Sequence, residues 1–137
     1  MIEFVIPGEP VAQGRPRATT IGGRVRMYDP AKSKNYKKHV SAIAKLNAPK
    51  KPLETPLRVK LDIYRPMLKS MSKKRRELAN ARIYRPITKP DNSNYAKGIE
   101  DALNGIIYKD DSQIVDLIVR KYYSDDPRVE VLIEEVE

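Results

Sequence analysis

Ile2 to Ile6 sets Ile, Phe and Ile against Glu and Val before Pro7-Gly8 halts the run, which predicts a first strand. A Gly22-Gly23 pair then separates Arg15-Pro16-Arg17-Ala18-Thr19-Thr20 from Arg24-Val25-Arg26-Met27-Tyr28, the signature of a β-hairpin. Asp29-Pro30 predicts a helix start, with the carboxylate as N-cap and proline at the first helical position. That helix is expected to reach about Leu46, with Tyr36, Val40, Ile43 and Asn47 along its buried stripe and lysines elsewhere. After the proline-punctuated stretch from Pro49 to Pro56, Leu57 to Tyr64 alternates as a half-buried strand that Pro66 ends. Ser70 to Ala81 reads as a short exposed helix and Arg82 to Lys89 as a loop. A second well-marked helix starts near Asn92 or Ser93, buries Tyr95, Ile99, Ala102, Leu103 and Ile106, and stops at Asn104-Gly105. Gln113 to Tyr123 is β-rich, Ser124-Asp125-Asp126-Pro127 turns the chain, and Arg128 to Val136 returns antiparallel. The pattern predicts one α+β domain over residues 1–137, a mainly antiparallel or mixed sheet covered on one face by helices.

Length agrees with a single core: 137 residues are too few for two comfortable domains. The absence of cysteine removes disulfides, zinc–thiolate sites and thiol nucleophiles, so the chemistry rests on oxygen and nitrogen. No apolar run approaches membrane-spanning length and the first residues carry no basic leader, so a soluble cytoplasmic protein with no membrane partner is expected. Charge changes the picture more. The chain carries a net +9, and the two parts differ in sign: residues 1–90 hold 22 Lys and Arg against 6 Asp and Glu, whereas residues 91–137 hold 5 against 12. A cationic surface beside a carboxylate cluster suits a polyanion whose phosphates must approach acid-held metal. An internal electrostatic match between the two parts is the simpler alternative.

The candidate basic contacts fall in two places. Arg15, Arg17, Arg24 and Arg26 recur with period two on the expected hairpin, a shape for gripping a phosphate backbone or for blocking edge pairing. Lys73, Lys74, Arg75 and Arg76 sit on a segment poor in apolar residues, which fits either a mobile element ordered by a polyanion or an exposed insertion. His39, the one histidine, has no partner of its own type and is expected at the surface.

The candidate chemistry lies between Lys89 and Gln113. Asp91 stands at a loop-to-helix junction after Pro90. Asn94, Lys97 and Asp101 share a helical face apart from the buried one, and Asp110-Asp111 precedes the next strand. Each feature alone has an ordinary reading: Asp91 as a helix cap, Lys97 and Asp101 as a surface ion pair, Asp110-Asp111 as a polar turn. Together they are a candidate site for a hard divalent cation, held by one or two carboxylates with room for water and a phosphate. Phosphodiester hydrolysis of nucleic acid is the leading hypothesis.

The run Lys-Pro-Asp-x-x-Asn-x-x-Lys-x-x-x-Asp-Ala-Leu-Asn-Gly from Lys89, followed by Asp-Asp-x-Gln-Ile-Val-Asp, resembles the core of the RusA-type Holliday-junction resolvases. Phage and prophage members of that family also resemble this chain in size, in Gly14-Arg15-Pro16-Arg17 and in the Asp-Pro helix start. The resemblance implies a RusA-like nuclease domain and a homodimeric, Mg²⁺-dependent crossover junction endodeoxyribonuclease. Such an enzyme places paired symmetrical nicks in four-way DNA junctions during recombination and repair. Residue by residue it implies Asp91, Lys97 and Asp111 as catalytic groups, Asp91, Asp111 and Asp110 around the metal, and Ser93, Asn94 and Asp101 as positioning groups. One departure stands out. The family usually reads Asp-x-Asp-Asn where this chain has Asp91-Asn92-Ser93-Asn94, so Ser93 replaces an expected carboxylate. Shifting the alignment by two residues would turn Lys97 and Asp101 by about 200° onto the wrong face. The alternative is therefore an attenuated or noncatalytic protein that keeps the fold and binds junction DNA.

Overall fold

The computed structural model describes residues 1–14, 17–28 and 30–137. Strand β1 (Ile2–Pro7), the hairpin β2 (Arg17–Ile21) and β3 (Arg24–Tyr28), and helix α1 (Ala31–Asn47) come first. Strand β4 (Leu57–Pro66), helices α2 (Lys73–Asn80) and α3 (Asn92–Leu103), and strands β5 (Ile114–Ser124) and β6 (Arg128–Glu135) follow. A four-stranded mixed sheet runs in the order β1-β6-β4-β5, and β2 and β3 form a separate two-stranded ribbon.

Strand β6 pairs antiparallel with β1 on one side and β4 on the other, while β5 pairs parallel with β4 at the edge. Parallel neighbours need a crossover longer than a hairpin turn, and α2 and α3 supply it. Although β6 does run antiparallel to β5, as its turn at 124–127 implies, β4 separates the two. Residues two apart share a sheet face. On one face Phe4 and Ile6, Val129 to Ile133 in alternation, and Leu57, Val59, Leu61 and Ile63 are buried under α1 and α3. Removing such side chains from water stabilises by roughly 1.5–3 kcal/mol each, an upper bound that chain entropy offsets.

Helix α1 buries Ser33, Tyr36, Val40 and Ala44. Ala44 takes the place expected of Asn47, which is exposed and donates to the Ile43 carbonyl at 3.0 Å. The helix begins at Ala31 with Pro30 at the cap position, one residue later than the sequence pattern suggests, and the expected Asp29 cap lies outside the described residues. His39 is exposed, as expected, and a ring nitrogen contacts the Pro7 carbonyl at 2.9 Å. In the ribbon, Ile21 pairs with Arg24 around Gly22 and Gly23, whose φ values of 56° and 77° suit a two-residue hairpin turn.

The segment after β4 is more ordered than its composition suggests. Ser72 caps α2 by accepting from the Arg75 amide at 3.2 Å, and the helix is shorter than the expected Ser70–Ala81 span. Met71 and Ala79 pack with Tyr123, joined by Met67 and Tyr84, into a second small core. This packing ties the segment to β5, whose Tyr123 comes from some forty residues further along the chain.

Candidate functional site

Helix α3 organises the chemistry. Asp91 is its N-cap: Oδ1 accepts from the Asn94 amide at 2.9 Å, satisfying an amide that would otherwise lack a partner. The first helical residue, Asn92, donates from Nδ2 to the Val119 carbonyl at 3.0 Å and ties the helix start to β5. Ser93 and Asn94 are exposed beside the cap, and the Asn94 carbonyl accepts from the Gln13 amide at 3.0 Å. At the other end Gly105, with φ 76°, takes the left-handed position after Asn104 that glycine adopts without strain, so Asn104-Gly105 is the stop.

Lys97 and Asp101 lie one turn apart on the exposed side, with Lys97 Nζ 4.0 Å from Asp101 Oδ2. Lys37 of α1 approaches the same oxygen at 3.7 Å. Asp101 therefore stands between two lysines, the second of which local sequence spacing does not reveal. Glu100, half-buried, is the other residue missed. Burial pushes its carboxyl above the usual range, and the negative charges of Asp111 and Asp101 add to the rise while Lys97 opposes it. Tyr108, fully buried, donates to the Glu100 carbonyl at 2.9 Å. Its phenol is pushed upward first by burial and then by Glu100, Asp111, Asp101 and Asp110. The C-terminal half of α3 and the Asp110-Asp111 turn thus share one acidic neighbourhood around Tyr108.

Asp110 caps the 3₁₀ turn Asp111–Gln113: its Oδ2 accepts from the Ser112 amide at 3.0 Å, and the Gln113 side chain accepts from the Asp110 amide at 2.9 Å. Hydrogen bonding by Ser112 holds the Asp110 carboxyl below its ordinary value. Gln113 also donates to the Leu53 and Thr55 carbonyls at 2.8 and 3.1 Å, fastening the turn to the segment before β4. Asp111 is left half-exposed with its carboxylate outside the cap.

The expected ligands are distributed along α3. Asp91 is at the N-terminal end, where its charge acts on Lys121, and Asp111 acts on Glu100, nine residues and about 13 Å of helical rise further on. Among the described residues no three acidic or imidazole groups form a ready-made cation shell. The donors present, exposed carboxylate oxygens, are nonetheless of the kind Mg²⁺ takes when water and substrate phosphate complete its coordination.

Of the candidate DNA contacts, Arg24, Lys73, Lys74 and Arg75 are exposed. Arg76 is half-buried, donating to the Leu68 carbonyl at 3.1 Å and pairing with Asp125 at 3.8 Å. Arg15 and the side chains of Arg17 and Arg26 lie outside the described residues. A cleft of about 430 Å³, lined by Glu9, Lys32, Arg65, Lys89, Asn94 and Tyr95 among others, opens beside the start of α3. Its three basic residues come from α1, β4 and the loop before Asp91.

The family model of the endodeoxyribonuclease RusA matches residues 7–134. The chain is also 53% identical over 137 residues to the "Uncharacterized protein YqaN" of Bacillus subtilis (strain 168), an alignment covering 98% of this chain and 96% of that protein.

Proposed function

Because the chain belongs to the RusA endodeoxyribonuclease family, we propose that it is a Mg²⁺-dependent endonuclease that resolves four-way DNA junctions by paired nicks, working as a homodimer. What supports the reading is family membership together with Lys97 and Asp101 one turn apart on the exposed side of α3 and an Asp111 whose charge acts on Glu100 of the same helix, in a protein of net charge +9. The family resemblance would assign Mg²⁺ to Asp91 and Asp111, with Asp110 beside the latter, but the two act at opposite ends of α3, and Asp111 is the one that shares the neighbourhood of Glu100 and Lys97. When bound, the ion supplies Lewis-acid polarisation of the phosphate and lowers the pKa of an attacking water.

The remaining work belongs to the chain's own side chains. Lys97 offsets negative charge that accumulates on the phosphate, and its ammonium does so best if it is already oriented. Asp101 provides that orientation from one turn away, and Lys37 in turn restrains Asp101. Asn94 and Ser93 line the helix start where Asp91 is capped. Since Asp110 is committed to its turn, Asp111 is the residue of the pair with greater freedom to meet a ligand. A twofold dimer matches the task, because a junction with twofold character is resolved by two equivalent cuts.

The test is nicking of synthetic four-way junctions in Mg²⁺. Wild type is expected to release paired nicked duplexes, and Asp111→Asn to lose cleavage while still binding the junction. Equal cleavage by the two proteins removes Asp111 from the catalytic assignment. Wild-type protein that binds junctions without any cleavage or Mg²⁺ dependence identifies the noncatalytic alternative, in which Ser93 in place of a carboxylate has disabled the site.

A further inference from the structure

Among the described residues, five guanidinium groups lie against tyrosine rings at one end of the sheet. Successive residues of β5 face opposite sides, so Tyr122 and Tyr123 reach different faces. Tyr122 stacks on Tyr64 with centroids 5.3 Å apart, and Tyr123 stacks on Tyr84 at 5.6 Å. Tyr64, Tyr122 and Tyr123 are buried. Over these rings lie Arg85, 4.4 Å from Tyr122; Arg82, 5.3 Å from Tyr122 and 5.8 Å from Tyr64; and Arg75, 5.0 Å from Tyr84. Arg120 and Arg128 join them at 5.8 Å from Tyr122 and 3.9 Å from Tyr64.

The five divide by charge compensation. Arg120 is paired with Asp62 through contacts of 2.8 and 3.0 Å, and Arg128 with Glu130 at 3.0 Å. Among the described residues Arg75, Arg82 and Arg85 have no carboxylate partner, and all three are exposed. Cation–π contact, with hydrogen bonds from Arg82 Nη2 to the Tyr64 hydroxyl at 2.9 Å and from Arg85 Nε to a backbone carbonyl, orients them and leaves their charge unmatched. Arg82 also has φ 65°, left-handed backbone at the position after the α2 cap where glycine is usual.

The same segment leads to Asp91. Arg85 Nε donates to the Lys121 carbonyl at 2.9 Å, and Lys121 Nζ donates to the Thr88 and Pro90 carbonyls at 3.2 Å each. Arg65 holds the Thr88 carbonyl at 3.0 Å and lines the basic cleft beside α3. We infer that Arg82 and Arg85, over Tyr64 and Tyr122 on one face of the sheet, form a tyrosine-backed platform that grips phosphates of the DNA backbone, an inference that rests on the junction-nuclease reading above. A planar guanidinium stacked on a ring keeps donors along its edge, and its fork matches a phosphate. Neither residue belongs to the basic run Lys73–Arg76 evident in the sequence.

The experiment measures binding of a labelled four-way junction and of a linear duplex to the full chain without Mg²⁺, across a salt series. For Arg82→Gln/Arg85→Gln the slope of log affinity against log salt should fall by about two, one for each lost phosphate contact, with affinity about tenfold or more weaker on both DNAs. Lys50→Gln/Lys51→Gln removes the same charge from an exposed loop elsewhere and should keep close to the wild-type slope. If the arginine variant matches wild type or this control, the platform is overturned while the junction reading stands. A wild-type protein without salt-dependent DNA binding overturns both. Should the glutamine pair melt below assay temperature, Arg82→Lys/Arg85→Lys decides: weaker binding at unchanged slope supports the platform, and wild-type affinity sinks it.

Discussion

Glu100 shows at the residue scale how a site opposes stability. Its carboxyl is raised by burial and by Asp111 and Asp101, so the folded protein holds this proton more tightly than the unfolded chain does. The sign follows from linkage. Below the ordinary carboxylate value both states are protonated and nothing is lost, whereas stability declines as pH rises from that value through the raised one. Glu100→Gln should remove this component. In metal-free thermal melts across the weakly acid range, the variant should gain on wild type as pH rises and match it at the acid end; parallel curves would refute the assignment. Asp110 has the opposite sign, its carboxyl lowered by Ser112, so whatever it contributes is lost as pH falls. The two carboxylates are ten residues apart and shift for different reasons, burial raising Glu100 and hydrogen bonds from nearby Ser112 lowering Asp110.

At the scale of an element, α3 carries both the legible and the hidden parts of the site. Its boundaries, its buried stripe of Tyr95, Ile99, Ala102 and Leu103, and its exposed Lys97 and Asp101 all follow from helical periodicity. Lys37 and Glu100 did not emerge from it: one arrives from α1, and the other acquires its character from Asp111 beyond the turn. Arg82 and Arg85 were hidden for the same reason, since their ring partners Tyr64 and Tyr122 lie outside their own segment. Gly98 offers a test of how tightly α3 is packed. A Cβ there would approach the Gln13 backbone nitrogen at 3.5 Å, ordinary contact, while glycine inside a helix costs about 0.5–1 kcal/mol relative to alanine. Gly98→Ala should therefore stabilise by about 0.5–1 kcal/mol, read as a higher denaturant midpoint at unchanged slope. A lower midpoint would mean that α3 and the 9–14 segment are closer than this.

For the molecule as a whole, apolar core and acidic surface are separate. The main core consists of apolar and tyrosine side chains from β1, β4, β6, α1, α3 and the loop residues Ile107 and Tyr108, whereas the candidate ligands Asp91, Asp110 and Asp111 lie at helix and turn ends outside it. Chelation should consequently abolish nicking and leave the melting temperature and metal-free DNA affinity where they were. A large fall in melting temperature on chelation would make the cation structural. The α+β class and nearly every element were legible as local patterns, but strand order was not, because periodicity tells which face a strand buries and not which neighbour it finds. Strand β6 is the clearest case, lying between β1 and β4 rather than beside β5. On a ribosome this matters in time. While residues 128–135 are still unmade, β1 has no partner strand within reach, because β6 is the strand it pairs with, so more than a hundred residues must emerge before the sheet can zip shut. Nascent β1 waits open through most of translation and β4 until β5 follows, and whatever shields them then, whether chaperone or their own charged neighbours, acts before the protein can meet DNA at all.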